Sequence, residues 1–159
     1  MIPDVKTILY ASDISDGGRP AFRSAVSLAQ SYGANIVFMH VMESLPESAY
    51  IMVKNVVGEE EMKRLHDEGV DYLQDTMHKR MVKFFNEEME GLETPLTAES
   101  MTYHLAEGRP HEEILKAAEE FKADLIVMGT RKHHKLISMG SVAMKVLHHA
   151  DRPVHIVPL

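Results

Sequence analysis

The sequence predicts an α/β protein in which a doubly wound, five-stranded parallel sheet, Rossmann-like, carries helices on both faces. Three observations predict it. Continuous apolar strand-like runs alternate with helix-like segments in the order βαβαβαβαβ. Such strands are buried on both sides, which is the mark of a parallel sheet between two helical layers. No linker, internal repeat or low-complexity segment divides the 159 residues, so residues 1–159 read as one domain, large enough to bury a core unaided.

The elements follow from local signals. Thr7-Ile-Leu-Tyr-Ala11 is a buried strand, and residues 12–18 form a polar turn. Pro20 suits the first turn of a helix whose Ala21, Ala25, Leu28 and Ala29 share a face, and Gly33 stands where that helix ends. Residues 36–41 are the second strand. Residues 44–58 read as an irregular connection, longer than usual and therefore mobile, with Ile51, Met52 and Val53 folding over the pocket or a partner chain. An amphipathic helix over about 59–90 follows, with Met62, Leu65, Leu73, Met77, Met81 and Phe84 on one side. The alternation of Met101, Tyr103 and Leu105 makes residues 97–105 the third strand. Gly108-Arg-Pro110 turns into a helix over 110–121 that buries Ile114, Ala118 and Phe121. Residues 125–128 are the fourth strand and residues 141–149 the last helix. Arg152-Pro153 then introduces a fifth strand, Val154 to Pro158.

Right-handed crossovers allow the strand order 3-2-1-4-5, which reverses direction between strands 1 and 4. Ligands bind such sheets at that reversal, beyond the carboxyl ends of the strands. Ala11 and Asp13 after strand 1, Val41 ending strand 2, and Met128 and Gly129 ending strand 4 converge there. The segment from Gly129 through Gly140, Ser141 and Val142 is a strand, a glycine-bounded loop and a helix opening with Gly-Ser. That arrangement cradles an anion, because glycine admits close backbone approach and helix N–H groups point at negative charge.

Composition narrows the partners. A net charge of −7 argues against nucleic acid and anionic membranes. The absence of cysteine excludes disulfides and thiol chemistry and fits a reducing cytoplasm. The start, Met-Ile-Pro-Asp-Val-Lys6, leads straight into a strand and does not read as a signal peptide. No apolar run approaches the ~20 residues that span a bilayer. The twelve methionines fall mostly at helix spacing and read as core filler.

Several chemistries fail on spacing. The turn Ser12-Asp-Ile-Ser-Asp-Gly-Gly18 lacks the Gly-x-Gly-x-x-Gly of a dinucleotide site, and no Gly-x-x-x-x-Gly-Lys-Ser/Thr loop exists. Strand 3 ends in Leu105-Ala106-Glu107, without the aspartate of a phosphoacceptor receiver. His133-His134 and His148-His149 are adjacent pairs that cannot face one ion from a helix, so they read as solvated. His40 reads as a satisfied core histidine, and His155 as a residue facing a partner. Asp13 is either an acceptor for a ligand's ribose hydroxyl or base N–H, or a turn residue bonding its own backbone. Ser141 is a phosphate contact, the N-cap of the last helix, or both. Arg131, Lys132 and Lys135 clamp phosphate or solvate the loop, and Arg131 stays among the candidate contacts. No nucleophile–base pair is evident, so turnover amounts to slow ATP hydrolysis at most.

The segments Lys6-Thr-Ile-Leu-Tyr-Ala-Ser-Asp13, Gly108-Arg-Pro-His-Glu-Glu-Ile114, Ala123-Asp-Leu-Ile-Val-Met-Gly-Thr130, Gly140-Ser-Val-Ala-Met-Lys-Val-Leu147 and Pro153-Val-His-Ile-Val-Pro158 together resemble the universal stress protein family. The resemblance covers essentially the whole chain. It implies a homodimer and often bound ATP, with Mg only as the nucleotide's companion. It assigns Asp13 to the nucleoside, Val41 to adenine through its backbone, and Gly129, Gly140, Ser141 and Val142 to ribose and phosphate. One departure stands out. ATP-binding members carry Gly-x-x-Gly, nine residues and Gly-Ser/Thr, whereas here Lys132 replaces the second glycine and the span from Gly129 to Gly140 is two residues short.

The expectation is a cytoplasmic stress-response protein that binds an adenine nucleotide as a regulatory ligand. Its rival is a nucleotide-free dimeric regulator acting through protein–protein contact. A homodimer is expected through Val154 to Pro158, because an apolar sheet edge with unpaired backbone groups acquires a symmetric partner.

Overall fold

The computed structural model describes residues 2–14, 16–88, 96–130 and 140–159. Among these, the order is β1 (Thr7–Ala11), α1 (Arg19–Tyr32), β2 (Asn35–Glu43), α2 (Glu47–Val57), α3 (Glu59–Glu88), β3 (Met101–Gly108), α4 (Pro110–Glu120), β4 (Leu125–Thr130), α5 (Ser141–His149) and β5 (Val154–Pro158). The five strands form one parallel sheet ordered β3-β2-β1-β4-β5, as the sequence predicts.

Strand alternation divides the core into two layers. Ile8, Ile36 and Phe38 face α1 and the carboxyl half of α3, where Phe22, Ala25, Met77 and Phe84 cover them. Leu9, Val37, Met39 and Ile126 face α4 and α5, where Ile114, Ala118 and Val146 cover them. Ile8, Leu9, Ile126 and Val127 have no exposed surface, and each contributes about 1.5–3 kcal/mol by burial. The sheet's amino edge is tied by Asp124, whose Oδ2 accepts the N–H groups of Lys6 and Thr7 at 2.9 and 3.0 Å. Gly33 closes α1 in the left-handed region, φ 64°, and the Ala34 N–H reaches the Ala29 carbonyl at 2.9 Å.

Three expectations need correction. Residues 44–58 are not irregular, because Glu47–Val57 is a helix. Ala49, Met52, Val53 and Val56 do recur at helical spacing, yet the helix buries none of its residues. It forms with the start of α3 a helical arm that packs largely on itself. The α3 face is also divided. Met77, Met81 and Phe84 are buried, whereas Leu65 is 46% exposed because the amino half of α3 lies beyond the sheet. The third strand runs later than 97–105. Ser100 folds back, its N–H and hydroxyl both reaching the Thr97 carbonyl, and residues 98–100 form a 3₁₀ turn. The strand then pairs with β2 as far as Glu43 opposite Gly108, ending where its partner ends. The long helix agrees with expectation as far as Glu88; residues 89–90 lie outside the described residues.

Candidate functional site

Beyond the carboxyl ends of β1 and β4 the chain leaves to opposite faces, into α1 and α5. A cavity of about 320 Å³ lies there. Ala11, Asp13, Val41, Met128, Gly129, Gly140, Ser141 and Val142 all line it. The structure therefore brings together every described position that the sequence singled out. Arg131 lies outside the described residues, as do Lys132, His133, His134 and Lys135, so the length and composition of that loop remain sequence observations.

The floor is apolar, made by Met39, Val41, Ile114, Met128 and Ala143, all buried. The β1 turn supplies the polar wall. Ser12 closes this turn, its Oγ accepting the Ile14 N–H at 3.1 Å and its own N–H reaching the Met39 carbonyl at 2.9 Å. Ser12 thus closes the turn with its own side chain, and the exposed Asp13 carboxylate borders the cavity. Burial pushes the neighbouring Tyr10 hydroxyl up to about 12, and the Asp13 charge pushes the same way, so the phenol stays neutral.

The β4 side is anchored through Thr130. Its Oγ1 accepts the Gly140 N–H at 2.8 Å, which draws together the two ends of residues 131–139. Ser141 is not the N-cap. Gly140 holds that position, without a side chain to bond the first turn, and Ser141 is the first helical residue. The N–H groups of the first turn receive no cap from Gly140, no acidic residue sits in that turn, and Ser141, Val142 and Ala143 border the cavity. Such a helix end carries partial positive charge and suits an anion.

The sequence reading assigns no ligand contact to His40, Thr130 or Leu159, which also line the cavity. His40 is half-buried rather than a core residue, and its Nδ1 donates to the Ser12 carbonyl at 2.7 Å. Its place at the end of an apolar strand was the available signal. Thr130 was read only as part of a motif, since nothing marks its bond to a residue ten positions on. Leu159 folds back through a 2.8 Å bond from its N–H to the Thr130 carbonyl, and its side chain packs on Gly129. A methyl group on Gly129 would lie 2.8 Å from Leu159 Cγ, so no larger residue fits without displacement. His155 is exposed on β5, and its Nε2 lies 2.8 Å from the Ser24 hydroxyl on α1. Among the described residues, no three His, Asp or Glu side chains are grouped to hold a metal ion. No helix among them is long and apolar enough to cross a membrane.

The family model described as "Universal stress protein family" matches residues 4–158. The chain belongs to the universal stress protein family. A universal stress protein of Thermus aquaticus, from the QAH/OAS sulfhydrylase 3′ region, is 33% identical over 155 residues, covering 96% of this chain and 98% of its own. The solved universal stress protein UspA of Lactobacillus plantarum is similar in fold, with a TM-score of 0.71 at 23% identity, covering 98% of this chain and 99% of its own. The universal stress protein of Archaeoglobus fulgidus solved in complex with dAMP has a TM-score of 0.51 at 22% identity, covering 97% and 98%.

Proposed function

We propose that this universal stress protein binds an adenine nucleotide, ATP or AMP, as a regulatory ligand in the cavity between β1 and β4. One observation carries the reading: a single cavity joins an apolar floor, the Asp13 carboxylate and the side-chain-free N-terminus of α5. Each part matches a part of a nucleotide. Val41, Met128 and Ala11 offer apolar walls to the base. Asp13 accepts ribose hydroxyls in charge-assisted bonds. Ser141 and Val142 present backbone N–H groups to phosphate, while the Gly140 N–H is held by Thr130. The volume, about 320 Å³, falls at the small end of ligand pockets and favours a compact ligand. The complex of the Archaeoglobus fulgidus protein with dAMP supports the same ligand class.

The nucleotide acts as an allosteric signal and not as a substrate, with any Mg arriving only as its companion. The setting is the cytoplasm, which suits a cysteine-free chain. The partner is a second copy joined at β5, whose outer edge has no neighbouring strand in the sheet.

Calorimetry with adenosine, AMP and ATP tests this. Asp13→Ala should weaken all three, whereas Gly140→Val should harm AMP and ATP more than adenosine. ATP should bind more weakly than a glycine-complete loop would allow. Lys132→Gly with two residues inserted before Ser138 should then tighten ATP alone. If the wild type binds no nucleotide and the repaired loop gains none, the chain is a nucleotide-free dimeric regulator instead.

A further inference from the structure

A second cavity, of about 250 Å³, opens on the sheet face covered by α1 and α3. It meets the first along a ridge of Tyr10, Ser12 and Gly18, which line both. Its floor is aromatic. Tyr10 stacks on Phe22 with centroids 5.1 Å apart, and Phe22 meets Phe84 at 4.3 Å. Its rim is cationic: Arg19 from α1, with Arg80 and Lys83 from α3. Residues 80, 83, 84 and 87 recur at helical spacing, so the cations and the Phe84 ring share one face. Glu87 answers part of this charge, bonding Arg19 and lying 4.0 Å from Lys83. Three cations around one small cavity stand out in a chain of net charge −7.

A separate feature points the same way. The 14-residue helix α1 starts at this cavity with Gly18 as its N-cap, no side-chain cap bond and no acidic residue in its first turn. Gly18 and Arg19 both line the cavity. The positive end of the α1 dipole adds to the charges of Arg19, Arg80 and Lys83, and the Asp13 carboxylate, 3.8 Å from where a Cβ on Gly18 would lie, offsets part of it. The rings of the floor are buried, and apolar surroundings strengthen each of these interactions.

We propose that this cavity is a second anion site, taking a compact phosphate-type group beside the nucleotide cavity. One guanidinium satisfies a carboxylate, whereas cations converging from two helices on one cavity match a multiply charged tetrahedral anion. The phosphate group has two possible sources, free inorganic anion or the phosphates of a nucleotide held next door.

The test uses the full chain, observed by amide NMR during titration with pyrophosphate, AMP and ATP. Pyrophosphate should shift the Gly18 and Arg19 amides. The double variant Arg80→Gln/Lys83→Gln should bind it at least about tenfold more weakly, with AMP binding unchanged. Lys83→Gln alone, at an exposed position, should weaken pyrophosphate several-fold and guards against misfolding of the double variant. Gly140→Val should leave pyrophosphate binding intact. If pyrophosphate competes with ATP but not with AMP, the site holds the nucleotide's own phosphates. If pyrophosphate and ATP bind together, it holds a free anion. Shifts confined to Gly140, Ser141 and Ala143, or binding indifferent to both α3 variants, would overturn the proposal.

Discussion

At the scale of single residues, three positions are held by contacts that a substitution can measure. Gly129 has Leu159 packed against it, so Gly129→Ala forces that side chain aside and should cost about 1–3 kcal/mol. Leu159→Ala in the same chain should recover most of the loss, and urea unfolding of the four-member cycle measures the coupling. Arg152 is mostly buried, and its guanidinium donates to the Ala118 and Ala123 carbonyls at 2.7 and 2.9 Å while pairing with Glu119 and Asp151. Arg152→Ala leaves two carbonyls at the end of α4 without this donor and should cost about 2 kcal/mol. Arg152→Lys should recover little, because an ammonium lacks the planar fork that reaches all four partners. Tyr10 is buried, and burial raises its hydroxyl from 10.0 to about 12. Its contribution is whole below pH 10 and is lost as pH rises through 12, where ionisation must occur inside the fold. The fall amounts to about 3 kcal/mol. Tyr10→Phe should flatten that part of the alkaline stability curve, and Tyr103, also raised to about 12 by burial, should keep the rest.

At the scale of elements, stability should be unevenly spread. β1 and β4 lie at the centre of the sheet, with Ile8, Leu9, Ile126 and Val127 fully enclosed. α2 buries no residue, and Met52 and Val56 are 68% and 80% exposed. A helix without tertiary burial holds only by its own hydrogen bonds, which open readily. Hydrogen exchange should therefore show the amides of α2 exchanging by local opening, far faster than those of β1 and β4. Equal protection in both would contradict this. The exposed salt bridges of Arg64 with Glu61 and Glu68 along α3 add little to hold the arm.

At the scale of the whole molecule, the prediction concerns β5. It closes one edge of the sheet and, among the described residues, pairs only with β4, while Val154, Ile156 and Val157 are half-buried. Such an edge invites a symmetric second copy, so sedimentation at micromolar concentration should give twice the 17.9 kDa of one chain. A monomeric mass would remove the dimer. The other edge strand, β3, pairs with β2 along its whole length, and near its end His66 of α3 bonds Glu107 at 2.7 Å.

The sequence by itself determined the sheet order, the bounds of β1, α5 and β5, and the meeting of Asp13 with Gly129, Gly140 and Ser141. The physical reason is that parallel strands are continuous apolar runs, glycine and proline punctuate them, and crossover handedness leaves few ways to order the strands. A ligand position at the reversal then follows from topology alone. The rest depended on packing across long sequence distances. α2 carries apolar residues at helical spacing, Ala49, Met52, Val53 and Val56, but the fold buries none of them. The face of α3 broke in two because only its carboxyl half reaches the sheet. Leu159 meets Gly129, and Thr130 meets Gly140, through contacts that no local pattern encodes. The cationic cavity draws Arg19 from one helix and Arg80 and Lys83 from another, more than sixty residues of chain apart. Only the folded chain brings those charges around one set of aromatic rings.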